Sequence, residues 1–396
     1  MRPLLLGLSL LIIAVSVSAD HFAHPEAFYD FVTYCKFFGY PVQVHTINTE
    51  DGYILTFFRI QAKNQTAFKT GLPVLWLQHG ILDSSDTWIV NSEPEESAPG
   101  FYFANKGYDV WLGNSRGNKH SRAHTTLNPD TDQKFWDFTW QDMATYDLPA
   151  GFLYITKYTG QEKISYAGHS QGTTQMWAAL SENNTVVKQH LKHFIAIAPV
   201  AYIGHCNSTL LNILAKRDVI FLMKLLDIHE FLSPDWFLTT GGIYVCRVLN
   251  FLCKDGIEVI ADTDATIDNF ERMDVVLGHF PAGTSLMNLN HWNQILVENT
   301  FRKFDFGTPE LNMQHYNRTT PPDYDLSNVD VPVSLFVGTQ DRLGDCADNR
   351  RLKDELVNAP YKFYNEYTKG HVTFVWGRDM SYLGEVETEV LKYRDA

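Results

Sequence analysis

The chain has 396 residues, of which 45% are hydrophobic, 14% aromatic and 20% charged, a composition typical of a globular protein. Its formal net charge is -14 at pH 7, and no basic cluster offsets this charge, so we expect no nucleic-acid partner. The length allows either one large α/β domain with an insertion or two separate domains.

The first residues have the pattern of an export signal. Arg2 gives a short basic start, residues 4–17 are apolar, and the small residues Ser18 and Ala19 precede Asp20. We predict a signal peptide over residues 1–19. The alternative is a membrane anchor, but the apolar stretch is shorter than the roughly 20 residues needed to span a bilayer. No later segment is apolar enough, and we predict no transmembrane segment.

Four Asn-x-Ser/Thr sequons agree with an export route, at Asn64, Asn183, Asn207 and Asn317. Together with the signal segment they predict a glycoprotein of the secretory pathway. Both an extracellular and a lysosomal location are open to such a chain, and the sequence assigns no oligomeric state.

Five cysteines are present, an odd number, so an oxidising compartment leaves at least one thiol free or paired between chains. Cys246 and Cys253 are the candidate disulfide because they are close in sequence, although two buried thiols are an equal alternative. No Cys/His spacing suggests a metal site, and we expect neither a metal nor an organic cofactor.

Strand and helix patterns alternate from about residue 50 to 200, which predicts parallel strands joined by helices. The pattern changes between residues 205 and 325, where Leu/Ile/Phe-rich stretches such as 210–226 and 257–270 predict a helical insertion. It then resumes, so we predict one mostly parallel sheet flanked by helices, with a core of residues 20–204 and 326–396 and a cap of residues 205–325. The predicted strands are residues 53–59, 73–78, 108–112, 164–167, 194–198, 332–338 and 362–367.

The pattern G-x-S-x-G occurs twice, around Ser170 and around Ser115. Such a serine acts as a nucleophile when it stands on a strained turn between a strand and a helix, where flanking glycines avoid backbone collisions. Both matches follow a predicted strand, but only the first precedes an apolar helical stretch, residues 173–180. We therefore predict Ser170 as the nucleophile, Gly168 and Gly172 as the glycines of its elbow, and Ser115 as a loop serine.

A serine nucleophile needs an imidazole that accepts its proton and an acid that orients the imidazole. With a nucleophile elbow, the chain order is serine, acid, histidine. Asp341 follows the strand of residues 332–338 at the sheet edge where Ser170 emerges, and His371 is the one histidine after it. Other carboxylates lie at the opposite end of that strand or further along the loop: Asp330, Asp345 and Asp348.

The tetrahedral intermediate of ester hydrolysis also needs backbone N–H donors. Gln171 follows the nucleophile and supplies one of them. The predicted strand of residues 73–78 ends in His79-Gly80-Ile81, where Gly80 allows close approach of the backbone and Ile81 offers the second N–H. An ordinary turn at the end of a strand is the alternative interpretation of this tripeptide.

With these residues the chain resembles the acid lipases, the family that includes gastric lipase and lysosomal acid lipase. The resemblance implies an α/β-hydrolase fold, a helical cap with a movable lid, hydrolysis of neutral lipid esters, and the triad Ser170, Asp341 and His371. It rests on motifs in matching order through the chain: Glu50-Asp51-Gly52-Tyr53-Ile54-Leu55, Gln78-His79-Gly80, Asp109 to Gly117, Tyr146-Asp147-Leu148-Pro149-Ala150, Gly168 to Gly172 and Pro281-Ala282-Gly283-Thr284-Ser285.

The chain departs from the family pattern in two places. Acid lipases usually carry Asn or Glu before the histidine and Leu-Asp after it, whereas this chain reads Gly370-His371-Val372-Thr373. Loss of that Asp changes how the histidine loop is braced. Cys246 and Cys253 are closer together than the cap cysteines of the family usually are.

We therefore predict a lipase that acts on triacylglycerols or sterol esters at a lipid–water interface. The alternatives are a carboxylesterase for shorter soluble esters and a catalytically inactive lipid-binding homologue. At pH 5 an unperturbed imidazole is neutral in only about 3% of molecules, so work in an acidic compartment requires burial of His371 beneath the cap. We expect the rate to fall with acidity below pH 6, whereas a fall near pH 7 would indicate a neutral esterase.

Overall fold

The computed structural model describes residues 24–91, 97–208, 212, 223, 226–232, 264 and 266–393. The predicted signal peptide, Cys246 and Cys253 lie outside these residues. Most of the two predicted helical stretches at 210–226 and 257–270 lie outside them as well.

Eight strands form the central sheet in the order β1-β2-β4-β3-β5-β6-β9-β10. Strand β2 pairs antiparallel with both β1 and β4, and all other neighbours in the sheet are parallel. The prediction of a mostly parallel sheet is therefore confirmed. The strands are β1 (Val42–Asn48), β2 (Ile54–Ile60), β3 (Val74–Gln78), β4 (Asp109–Gly113), β5 (Ile164–His169), β6 (Leu191–Ile197), β9 (Val333–Gly338) and β10 (Lys362–Tyr367), with a separate ribbon of β7 (Glu230–Phe231) and β8 (Thr284–Ser285).

Helices cover both faces of the sheet, as its parallel strands require. Pro149 follows a π-helical turn (Met143–Asp147) that continues directly into α4 (Leu148–Thr159), and Gly160 ends that helix with a φ of 72°. The described helices are α1 (Phe31–Phe37), α2 (Pro99–Asn105), α3 (Trp140–Asp142), α4 (Leu148–Thr159), α5 (Gln171–Ser181), α6 (Thr185–His190), α7 (Met273–His279), α8 (Leu286–Glu298), α9 (Pro309–Tyr316), α10 (Cys346–Glu355), α11 (Thr373–Trp376) and α12 (Tyr382–Leu391).

Two hydrophobic clusters fill the spaces between the sheet and its helices. Every residue of β3 is buried, with Leu75 and Leu77 in one cluster and Val74 and Trp76 in the other. This alternation follows from the two-residue period of a strand. Burial on both faces explains why the inner strands are short continuous apolar runs in the sequence.

The insertion leaves the sheet after β6 and returns before β9. Between these strands the described residues form α7, α8, α9 and the ribbon of β7 with β8, and they add no strand to the central sheet. The strands that contribute to the sheet thus come from both sides of the insertion, and β6 and β9 are direct parallel neighbours.

Buried neutral histidines make folding stability depend on pH. Burial lowers the pKa of His193 to about 3, and its Nε2 lies 2.9 Å from the hydroxyl of Ser334. The unfolded chain, with a histidine pKa near 6.5, binds a proton that the folded state excludes, so stability falls as pH drops below 6.5. This single group costs about 2 kcal/mol of unfolding free energy between pH 7 and pH 5.

We expect His193→Gln to lose less unfolding free energy between pH 7 and pH 5 than the unmodified protein, because glutamine does not titrate. Urea unfolding at the two pH values measures this difference. An unchanged loss in the variant would show that folding does not lower the pKa of His193.

Candidate active site

Ser170 stands at the turn between β5 and α5, at the carboxyl edge of the sheet. Its backbone has φ 55° and ψ −122°, a conformation that costs energy for a residue with a side chain. The turn is held because the N–H of Ser170 donates to the carbonyl of Ile197, and the N–H and hydroxyl of Thr173 both donate to the carbonyl of Ser170. A serine held in this way projects its hydroxyl out of the strand-to-helix turn.

The two glycines of the motif stand where no side chain fits. A Cβ on Gly168 would come within 2.6 Å of the backbone of Gly172, and a Cβ on Gly172 would come within 2.5 Å of the carbonyl oxygen of Gln78. Both obstacles are backbone atoms that cannot turn away as a side chain would. The close approach of α5 to β5 therefore requires glycine at position 168, and its approach to the end of β3 requires glycine at position 172.

Three side chains from distant parts of the chain meet at this edge. The Nε2 atom of His371 lies 2.7 Å from the Oγ atom of Ser170, and its Nδ1 atom lies 2.8 Å from an Oδ atom of Asp341. His371 comes from the loop after β10, and Asp341 comes from the loop after β9. All three residues are at most 5% exposed.

Asp341 is fixed by the backbone of its own loop. Its Oδ1 atom accepts hydrogen bonds from the N–H groups of Leu343, at 2.8 Å, and Gly344, at 2.7 Å, so Oδ2 is left to face His371. Burial raises the pKa of Asp341, but the charge of His371 and these hydrogen bonds outweigh burial and hold the pKa below its usual value. The carboxylate therefore stays ionised and favours a proton on the Nδ1 atom of His371.

His169 stabilises the loop that carries His371. Its Nε2 atom lies 2.9 Å from the backbone oxygen of His371, and the two imidazole rings are 5.0 Å apart. Burial lowers the pKa of His169 to about 3, so it remains neutral and donates from Nε2 over the whole physiological range. The sequence motif does not reveal this role, since residue 169 is a variable position of G-x-S-x-G.

The two predicted donors for an oxyanion flank Ser170. Gln171 is the first residue of α5, so its N–H has no acceptor within the helix. Gly80 packs so closely on the nucleophile that a Cβ there would lie 2.9 Å from the Cβ of Ser170. Ile81 follows Gly80 directly and lines the same cavity as Ser170 and His371.

The second G-x-S-x-G loop supports the strand end that carries Gly80. His79 donates from Nδ1 to the carbonyl of Gly80, and its Nε2 accepts from the backbone N–H of Ser115 at 3.0 Å. The hydroxyl of Ser115 accepts from the side chain of Gln78. No helix follows this loop, so Ser115 lies in a turn that positions the neighbouring backbone.

An ion-pair network connects that loop to two other sequence motifs, the ones that contain Asp51 and Asp147. Arg116 is buried and donates to Asp147 from Nε at 2.8 Å and to Asp51 from Nη1 at 2.6 Å. The guanidinium group also lies over the ring of Tyr53, with its Cζ atom 4.0 Å from the ring centroid. Three motifs that are far apart in the sequence therefore meet around one arginine.

The insertion contacts the residue after the nucleophile. The side-chain oxygen of Gln171 accepts from the Nδ2 atom of Asn288 at 2.8 Å and from the Nε1 atom of Trp292 at 2.7 Å. Both donors lie on α8, whose first turn is capped by Ser285. Sequence reasoning placed this stretch in the cap but did not identify these contacts.

A small apolar cavity of about 40 Å³ adjoins the hydroxyl of Ser170. Its walls combine the polar groups of the site with hydrophobic side chains from the core and from the insertion. The hydrophobic residues are Ile81, Phe280, Leu343, Val372, Val375 and Trp376.

The remaining predicted sites are peripheral. The four sequon asparagines, Asn64, Asn183, Asn207 and Asn317, are all exposed. Cys35, Cys206 and Cys346 are free thiols. Within the residues that the structure describes, no group of three or more His, Cys, Asp or Glu could hold a metal ion. The helices among those residues include none that is both long and apolar enough to cross a membrane.

The sheet order and the serine at the strand-to-helix turn are those of an α/β hydrolase. A family model described as "alpha/beta hydrolase fold" matches residues 73–378, and one described as "Partial alpha/beta-hydrolase lipase region" matches residues 31–92. Among solved structures, the fold is shared with a soluble variant of the Saccharomyces cerevisiae monoglyceride lipase. That structure has a TM-score of 0.55 and 12% identity, with 90% of this chain and 96% of that one covered.

Curated relatives resolve the family further. The chain is 41% identical to gastric triacylglycerol lipase of Rattus norvegicus over 361 residues, which cover 90% of this chain and 89% of the relative. It is 37% identical to lysosomal acid lipase/cholesteryl ester hydrolase of Homo sapiens over 348 residues, which cover 87% of this chain and 86% of the relative. The chain therefore belongs to the acid lipase family of α/β hydrolases.

Proposed function

We propose that this protein is a lipase that hydrolyses neutral lipid esters at a lipid–water interface, with Ser170 as nucleophile, His371 as base and Asp341 as the orienting acid. The observation that supports the proposal is the hydrogen-bonded series from the hydroxyl of Ser170 through both ring nitrogens of His371 to the Asp341 carboxylate. The gastric and lysosomal lipases to which the chain is similar carry triacylglycerol and cholesteryl esters in their names, which supports the substrate class.

The reaction begins with attack of Ser170 Oγ on the ester carbonyl carbon while Nε2 of His371 takes the hydroxyl proton. The carbonyl oxygen becomes negative and accepts hydrogen bonds from the N–H groups of Gln171 and Ile81. The bond to the alcohol then breaks, and the alcohol leaves with the proton from Nε2. An acyl-serine remains.

Water completes the cycle. It attacks the acyl carbon as Nε2 of His371 takes one of its protons, and the resulting intermediate is held by the same two N–H groups. Collapse of this intermediate breaks the bond to Ser170, returns the proton to Oγ and releases the fatty acid. The chemistry uses only side chains and backbone of this chain.

Access to the serine requires movement above it. The cavity beside Ser170, of about 40 Å³, is well below the roughly 300–1,000 Å³ of typical ligand pockets, and Phe280 of the insertion forms part of its wall. We infer that residues 205–325 form a cap that opens at a lipid surface, with residues 20–204 and 326–396 forming the hydrolase core. The apolar walls suit the acyl chain once the cap has moved.

We also infer an export route. In this proposal a signal peptide at residues 1–19 is removed. All four sequon asparagines are exposed, so a glycosyltransferase can reach them. The product is extracellular or lysosomal. Digestion of the expressed protein with an N-glycosidase, followed by mass spectrometry, would identify which asparagines are modified.

A substrate panel tests the proposed function. We expect an emulsified long-chain triacylglycerol or cholesteryl ester to be hydrolysed, with a rate that rises once an interface is present and falls below pH 6. A soluble short-chain ester at equal concentration serves as the comparison. Hydrolysis of the short ester alone would overturn the proposal in favour of a carboxylesterase. Lipid binding without hydrolysis of any ester would overturn it in favour of a lipid carrier.

A further inference from the structure

A segment in the middle of the insertion is hydrogen-bonded directly to the chain that follows His371. We call residues 266–269 the return segment. Asp268 forms an antiparallel bridge with Gly377, the N–H of Asn269 donates to the carbonyl of Trp376 at 2.9 Å, and the N–H of Arg378 donates to the carbonyl of Ile267 at 2.8 Å. The return segment is therefore paired with the backbone at the end of α11.

One side chain extends this pairing to the histidine loop. The hydroxyl of Thr373 donates to Oδ1 of Asp268 at 2.7 Å and accepts from the N–H of Gly370 at 3.0 Å. The Oδ2 atom of Asp268 accepts from the N–H of Asp264 at 2.7 Å. Asp268 is 3% exposed and Thr373 is 1% exposed, so water does not replace these hydrogen bonds. Burial raises the pKa of Asp268, while the hydrogen bonds that both its carboxylate oxygens accept favour the ionised form.

These hydrogen bonds hold the loop on both sides of His371. Gly370 comes directly before the histidine, and Thr373 comes two positions after it. Residues 370–373 read Gly-His-Val-Thr, so the loop has no carboxylate of its own beside the histidine. Asp268, on the return segment, places its buried carboxylate against Thr373.

We propose that Asp268, acting through Thr373, is a positioning residue that sets the orientation of His371 toward Ser170. The proposal rests on the role of His371 given above. It further implies that the return segment links the insertion to the base, since Ile267, Asp268 and Asn269 pair with the chain at the end of α11. A displacement of about 1 Å at a catalytic base lowers the rate by up to a hundredfold, so a misplaced loop is measurable.

Two single substitutions test the hydrogen bond between Thr373 and Asp268. Thr373→Val keeps the shape of the side chain and removes the hydroxyl, and Asp268→Asn keeps the shape and removes the charge. We expect each to lower kcat about tenfold with little change in KM, because the base is misplaced while the substrate pocket is intact. Rates are expressed per active site titrated with a fluorophosphonate, so that partial unfolding alone does not lower them.

Moving the carboxylate from residue 268 to residue 373 is expected to rescue kcat. Thr373→Asp alone places two carboxylates together and is expected to be as impaired as the other single variants. Combining it with Asp268→Asn restores one carboxylate, now on the histidine loop, and should return kcat to within about threefold of the unmodified enzyme. Glu271→Gln is the matched control, because it removes an exposed carboxylate near the return segment whose partner is Arg378.

The outcomes separate this proposal from the proposed function. Ser170→Ala is assayed alongside, and normal turnover by that variant would overturn the function itself. If turnover depends on Ser170, either of two results would overturn the positioning role alone. One is an unchanged kcat per titrated site in Thr373→Val. The other is a double variant whose kcat is no higher than that of either single variant. If Asp268→Asn fails to fold, the isosteric Thr373→Val still decides the question.

Discussion

Ser170→Ala is expected to lower the turnover of a long-chain ester by about 10⁵-fold or more, because without the nucleophile no acyl-enzyme forms. The remaining rate would come from substrate binding and from the oxyanion donors alone. The variant should fold normally, since the backbone of the turn is held by Ile197 and Thr173 and not by the serine hydroxyl. Initial rates on emulsified triacylglycerol, compared at equal protein, measure the loss.

Ser115→Ala is the matched control, because Ser115 has the same motif context but lies in a turn that supports the strand end. We expect it to retain activity within about tenfold, since it loses one buried hydrogen bond to Gln78. The double variant Ser170→Ala, His371→Ala should be no slower than Ser170→Ala, as residues that act as a unit are not additive. A large loss in Ser115→Ala with normal turnover in Ser170→Ala would reverse the assignment of the two motifs.

Asp341→Asn is expected to lower kcat by about 10⁴-fold. The asparagine amide would donate to Nδ1 of His371, so the proton of the neutral ring would move to Nε2. That nitrogen then points an N–H at the hydroxyl of Ser170 and cannot accept its proton. Steady-state rates on the long-chain ester measure the loss, and circular dichroism checks that the fold is retained.

Asp330→Asn is the control for this change, because it alters the same functional group at the opposite end of β9. The side chain of Asp330 is 59% exposed, and it pairs with Lys188 at the surface. We expect its activity to be unchanged, since an exposed pair of this kind contributes about 1 kcal/mol or less. Full activity in Asp341→Asn would mean that another acid orients His371.

The inner strands could be predicted because burial leaves a simple pattern in the sequence. Trp76 and Leu77 face opposite clusters and are both hydrophobic, so β3 appears as a continuous run. The edge strand β1 was missed because it buries little apolar surface, with Val44 55% exposed. The predicted strand at residues 53–59 was right in place, but its antiparallel pairing with both neighbours could not be derived from apolar residues alone.

The site could be predicted where chain order limits the choice. The chain order in this fold is serine, acid, histidine, and His371 is the one histidine after Asp341, so it is the one candidate for the base. The contacts of Asn288 with Gln171 and of Asp268 with Thr373 span more than 100 residues and depend on how the insertion packs. Neither residue belongs to a local pattern, so only the folded arrangement reveals them.

Labelling with a fluorophosphonate, followed by peptide mapping, measures whether Ser170 is an activated nucleophile. The reagent should modify one residue in proportion to the loss of esterase activity, on the peptide that contains Gly168-His169-Ser170-Gln171-Gly172, and Asp341→Asn should react far more slowly. Modification of Ser115, or complete inhibition with Ser170 unmodified, would contradict the proposed mechanism.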